Sequence, residues 1–150
     1  MKPLLRLCLV LITLSASWLS VAQAAEVLTV NNPWVRATVP AQQATGAYMT
    51  LTAAVDLRLV AVSSPQAGMI EIHQMSMENN VMQMRALPNG LMLPKGKAVE
   101  LKSGGYHLMV MELKQPMRQG AWLPLSLTVE TKDKKRSTVM VSAEVKSLTQ

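Results

Sequence analysis

The sequence predicts an all-β protein with a single core, a sandwich or a barrel, and three observations carry that expectation. Short apolar runs recur along the chain with turn-forming residues between them. No stretch sustains a helical apolar period over about 12 residues. Once an N-terminal leader is set aside, residues 25–150 leave room for one hydrophobic core and no second domain.

Strands are expected near 27–30, 35–38, 46–53, 58–63, 69–77, 81–87, 97–101, 106–113, 123–131 and 137–146. The first two are short β-branched runs separated by Asn31-Asn32-Pro33, which reads as a turn. Ser64-Pro65 ends the fourth strand, and Glu78-Asn79-Asn80 separates the fifth from the sixth. Pro88-Asn89-Gly90, Pro94-Lys95-Gly96, Ser103-Gly104-Gly105 and Gln115-Pro116 punctuate the second half. Eight to ten short strands at about this spacing favour a sandwich or barrel over any helical packing.

Residues 1–24 read as a cleaved signal peptide. Lys2 and Arg6 precede an apolar run over 7–19, and Ala22-Gln23-Ala24 has the small-x-small form of a peptidase site. The run is short for a bilayer span, although a retained signal anchor is the alternative. The only cysteine, Cys8, falls inside the leader and is not placed as a lipid-bearing first residue. The exported domain, residues 25–150, would therefore have no thiol, which excludes disulfides, thiol redox chemistry and thiolate metal cages. Loss of Lys2 and Arg6 leaves 13 of the 15 basic residues against all 9 acidic ones, a net charge of +4. The densest basic run, Lys132-Asp133-Lys134-Lys135-Arg136, reads as a solvated turn. Nucleic acid is not an expected partner, though a mild positive charge would help docking on an acidic protein.

The two histidines each stand two residues before a methionine: His73-Gln74-Met75 and His107-Leu108-Met109. Residues two apart on a strand share a face, so each triplet can present an imidazole and a thioether together. Imidazole plus thioether, with no thiolate, suits Cu(I) better than zinc, calcium or magnesium. Met77, Met82 and Met84 lie between the triplets. If Asn79-Asn80 forms a two-residue turn, His73, Met75, Met77, Met82 and Met84 share one face. A three-residue loop would instead turn Met82 and Met84 away. With the strand 106–113 adjacent, His73, Met84, His107 and Met109 could close around an ion as a tetrahedral N2S2 set. The competing reading is that alternating methionines fill the core of a protein that has no Phe, and that each histidine is merely hydrogen-bonded.

The spacing of His73, Met84 and His107-Leu108-Met109 resembles that of the periplasmic copper chaperones known as PCuAC, or Cu(A) chaperones. So do Pro33-Trp34-Val35-Arg36-Ala37, the segment from Thr45 to Leu51, Glu71-Ile72-His73, Val81-Met82-Gln83-Met84-Arg85 and Gly104-Gly105-Tyr106-His107. The resemblance implies a cupredoxin-like Greek-key β-sandwich that binds one Cu(I) per chain through His73, Met84, His107 and Met109. It implies a monomer in the periplasm that performs no catalysis. Its partner would be the copper-binding subunit of a cytochrome oxidase, reached directly or through a thiol-containing assembly factor. Ala53-Ala54-Val55-Asp56 departs from the family's Asn- and Gly-containing turn, and no His- and Met-rich tail follows, so a second Cu(II) site on a tail is not expected. Blue-copper electron transfer would need a cysteine thiolate. Copper storage or tolerance, and an exported structural sandwich without metal, are the other functions compatible with the composition.

Overall fold

The computed structural model describes residues 27–147, which form ten strands and no helix. They are β1 (Leu28–Arg36), β2 (Ala44–Ala53), β3 (Leu57–Ser63), β4 (Ala67–Glu78), β5 (Val81–Ala86), β6 (Leu91–Leu93), β7 (Ala98–Leu101), β8 (Tyr106–Leu113), β9 (Trp122–Thr131) and β10 (Arg136–Lys146). The expected signal peptide, with Cys8, lies outside the described residues. No helix among those residues is long and apolar enough to cross a membrane.

The strands form one continuous sheet in the order β5-β4-β8-β7-β2-β1-β10-β9-β3-β6. It doubles back on itself, so β3 packs beside β4 and the inner faces enclose a single core. Pairing is antiparallel except between β1 and β10 and between β7 and β8. On β9, Leu123, Leu125, Leu127 and Val129 are fully buried and alternate with Pro124, Ser126 and Thr128, the period-2 pattern of a strand with one face inside. Leu28, Leu51, Leu59, Leu93, Leu101 and Leu108 complete the interior. Each such side chain contributes about 1.5–3 kcal/mol of transfer free energy.

Leucine, then, supplies the bulk that phenylalanine would otherwise provide. Among the described methionines only Met49 and Met117 are buried. The alternative in which methionine fills the core fails on that distribution, since the methionines of β4 and β5 are half-buried or exposed.

Two elements differ from the sequence-based expectation. The runs at 27–30 and 35–38 are one strand, β1, because Asn31-Asn32-Pro33 forms a bulge and not a turn. The pairing with β2 shifts register between Asn31 and Trp34, and Asn32 takes φ 49°. A bulge absorbs an Asn-Pro pair inside a strand at the cost of a local kink. The second difference is β6, for which no strand was expected. It is three residues long, too short to display alternation, yet Leu91 and Leu93 are buried and pair with Leu59 and Leu57.

The basic run is a turn over 132–135, as its composition suggests, leading into Arg136 of β10, and Lys132, Lys134 and Arg136 each meet a carboxylate. Glu130 accepts from Arg136 Nε at 2.9 Å and from Lys134 Nζ at 3.0 Å, while Lys132 pairs with Asp56 at 2.8 Å. The Arg136 and Lys134 hydrogen bonds hold the Glu130 carboxyl below its ordinary value of 4.5. A carboxylate whose folded pKa is depressed stabilises the fold above its unfolded pKa and loses that contribution as pH falls through the folded one. Glu130→Gln is therefore expected to melt below wild type at neutral pH. Thermal unfolding followed over a pH series should show the gap narrowing below about pH 4.5 and closing at strongly acid pH.

Candidate metal centre

Two asparagines set the geometry. Asn79 and Asn80 both occupy the left-handed region, at φ 50° and 59°, and join β4 to β5 as a two-residue turn of the type that matches strand twist. The register that follows places Met77 opposite Met82, Met75 opposite Met84 and His73 opposite Ala86. All six lie on one face.

β8 runs along the other side of β4. His73 pairs with His107, Glu71 with Met109 and Met69 with Met111, while Ile72 and Leu108 pair on the opposite face and point into the core. The hairpin and β8 are thus neighbours in one sheet, and their histidines and methionines form a continuous outer face. On the far side of β8, Met109 pairs with Gly46 of β2. Gly46 leaves space for a neighbour: a Cβ there would collide with the ring and hydroxyl of Tyr48. Tyr48 in turn stacks on Trp34, with ring centroids 4.5 Å apart, and lies under the Arg36 guanidinium at 5.7 Å.

A cavity of about 280 Å³ opens on this face, lined by Met75, Met84, His107 and Met109 together with Arg36, Thr45, Gly46 and Tyr48. Three of the four residues selected from the sequence share it. His73 is not among its lining residues; it stands edge-on to His107, with ring centroids 5.6 Å apart and planes at 73°. The aromatic and arginine wall, Trp34, Arg36 and Tyr48, was not singled out as part of a site. Its only sequence signal is that it falls in the segments Pro33–Ala37 and Thr45–Leu51, quoted above for their resemblance.

The two imidazoles are prepared differently. His107 is only 4% exposed, and its Nδ1 donates to the Gly105 carbonyl at 3.2 Å. That carbonyl also accepts the Met75 N–H at 3.0 Å, so it ties β4 and the His107 ring to one point. With the proton on Nδ1, the Nε2 lone pair is free. Burial pushes the His107 pKa below its ordinary 6.5; the Gly105 hydrogen bond opposes that effect, and the positive charge His73 can carry adds to it. His107 is therefore neutral at physiological pH, the state in which imidazole binds metal. His73 instead gives its Nε2 proton to Glu71 Oε2 at 2.8 Å. Its Nδ1 is buried and has no hydrogen-bond partner. A buried acceptor without a donor is costly, and a metal ion would satisfy it. The thioethers differ in access: Met109 is half-buried and Met84 is 49% exposed.

Fold and site together define a small cupredoxin-like β-sandwich with an imidazole and thioether cluster on the outer face near one edge of its sheet. The family described as putative lipoprotein LpqE-like matches residues 28–145, and the chain belongs to this family of PCuAC domains. The chain is 28% identical over 128 residues to the putative lipoprotein Lxx21020 of Leifsonia xyli subsp. xyli, covering 85% of this chain and 76% of that protein. The solution structure of the Cu(I) form of DR1885 from Deinococcus radiodurans superposes with a TM-score of 0.63 at 30% identity, over 83% of this chain and 81% of that one. The copper-bound PCuAC domain of PmoF2 has the same fold, with a TM-score of 0.65 at 21% identity, over 83% of this chain and 96% of its own.

If the Asn79-Asn80 turn sets the face, inserting one alanine between Val81 and Met82, beyond the intact turn, should rotate Met82 and Met84 to the opposite side of β5 while leaving the sandwich folded. Methyl NOEs between Met75 and Met84 report the outcome. They are expected in the wild type and absent in the insertion variant, whose circular dichroism should be unchanged.

Proposed function

We propose that the protein is an exported copper carrier that holds one Cu(I) between His73, Met84, His107 and Met109 and passes it to an acceptor without catalysing a reaction. The acceptor would be the Cu(A) site of a respiratory cytochrome oxidase, reached directly or through a thiol-containing assembly factor in the periplasm. The observation that carries this reading is the convergence of a neutral, pre-oriented His107 with Met84 and Met109 on one cavity. Copper-bound structures of PCuAC relatives support the choice of metal.

The residues present suit the ion. Cu(I) takes soft, neutral donors and has no ligand-field preference for a plane. His107 would offer Nε2, and His73 its unpartnered Nδ1, with Glu71 fixing the His73 proton on the other nitrogen. Metal-bound histidines usually hold such an outer partner. The half-exposed Met84 suits the ion's departure. A thioether is a weak donor that an incoming thiolate can displace, and Met84 is the most exposed of the four residues. No cysteine is present among the described residues, which argues against both a closed thiolate cage and a blue-copper electron carrier. The names of the relatives, as lipoproteins, support export.

Competition titrations with a Cu(I) chelator test the ligand set. One equivalent should bind tightly enough to compete with the chelator, His107→Ala should lose more than about 100-fold in that affinity, and Glu71→Gln about tenfold, as for the removal of an outer partner. X-ray absorption should show mixed nitrogen and sulfur neighbours; a shell of nitrogen and oxygen alone refutes the set. Transfer is tested by mixing the loaded protein with the copper domain of an oxidase subunit. If the wild type keeps its copper against such acceptors, and cells lacking it assemble oxidase normally at low copper, storage or tolerance is the function.

A further inference from the structure

The tip of the β4–β5 hairpin carries two methionines outside the ligand set. Met77 and Met82 face each other one rung beyond the Met75 and Met84 pair and are 62% and 49% exposed. Neither belongs to the core. Burying such a side chain would return about 1.5–3 kcal/mol, so fold stability does not explain two of them standing in water. The position of Met82 on β5 is also unfavourable, because β5 is the edge of the sheet, where an apolar face invites pairing with other chains. Folding alone would favour a lysine or threonine at either position.

Strand alternation places Met75 and Met77 on the same face of β4, and Met82 and Met84 on the matching face of β5. Four thioethers therefore start from the corners of a rectangle about 5 Å across the strands and 7 Å along them. Methionine is unbranched and has three rotatable side-chain bonds, so sulfurs at those corners can converge. Of the hairpin's charges, Arg85 and Glu78 pair at 2.8 Å on the other face, while Glu71, on the thioether face, is engaged by His73 Nε2. The two rungs Met75–Met84 and Met77–Met82 thus carry thioethers alone, with no carboxylate or ammonium of their own to select a harder ion or repel a soft one.

We propose that Met77 and Met82 form an outer receiving position for Cu(I), from which the ion advances to His107 and Met109 by way of Met75 and Met84. This rests on the inner site proposed above and adds an entry to it. Met75 and Met84 line the cavity that holds His107 and Met109, so that rung is common to both positions. An ion can exchange one thioether for the next without passing through water as a free cation. No electron or proton moves; only the ligands change.

The test uses the whole domain, anaerobic and reduced, with Cu(I) delivered from a chelator complex and Ag(I) as a redox-inert substitute for spectroscopy. Three proteins are compared: wild type, the double variant Met77→Leu with Met82→Leu, and His107→Ala. Leucine keeps the apolar volume and removes the sulfur. The wild type should take a second, weaker equivalent of Ag(I) that shifts the ¹³C-methyl signals of Met77 and Met82. The double variant should keep the first equivalent at nearly wild-type affinity, lose the second, and load about tenfold more slowly in stopped flow. His107→Ala should lose the tight equivalent and still shift Met77 and Met82, which separates failure of the inner site from failure of the outer one. The proposal is overturned if those two methyls do not move in the wild type, or if the double variant loads at the wild-type rate.

Discussion

Strand parity governs the whole arrangement. In a sheet each side chain is committed to one face by its place in the ladder, and a slip of one residue sends every side chain of that strand to the other face. His73 and His107 are opposed, Met75 meets Met84, and Met109 sits beside Gly46 because three adjoining strand pairs hold mutually consistent registers. Two of those registers are anchored by buried partners such as Ile72 and Leu108. The third has no such anchor. Most of β5 is exposed, so the core cannot dictate its alignment, and the two positive-φ asparagines do so in its place.

That division explains what could be read from the sequence. The turn was legible because it is local: two asparagines between alternating methionines specify a loop length, and loop length specifies parity. A strand with strong alternation, such as β9, was legible for a similar reason. The adjacency of β4 and β8 was not, since they are separated by β5, β6 and β7 and nothing local records which strands become neighbours. Asn31-Asn32-Pro33 misled because an Asn-Pro pair that signals a turn in isolation is equally suited to a bulge, and pairing with β2 on both sides of it decides the matter. The stacked Trp34 and Tyr48 wall is likewise a product of tertiary contact, whereas the Glu71 carboxylate on His73 is a local contact between residues two apart on one strand.

The site also divides its labour by burial. His107, enclosed and held by the Gly105 carbonyl, is fixed in position and in protonation state. Met84, on the edge strand, has neither constraint. A donor set with one rigid, deeply placed nitrogen and one loosely held sulfur binds with a definite geometry at one end and can be opened at the other. A centre that kept its metal for catalysis would gain from rigidity at every ligand.

The cluster occupies the outer face of the sheet while the core packs on the inner face, and this separates two histories that enzymes with buried centres must keep together. A substitution among Met75, Met77, Met82 and Met84 removes no core contact, so its effect falls on the ion and hardly on the fold. Donors on such a face can be lost, exchanged or multiplied in descent without a compensating change in the interior. The same sandwich can therefore diverge in metal preference and number of ions faster than in architecture, and two chains of this shape need not carry the same cargo.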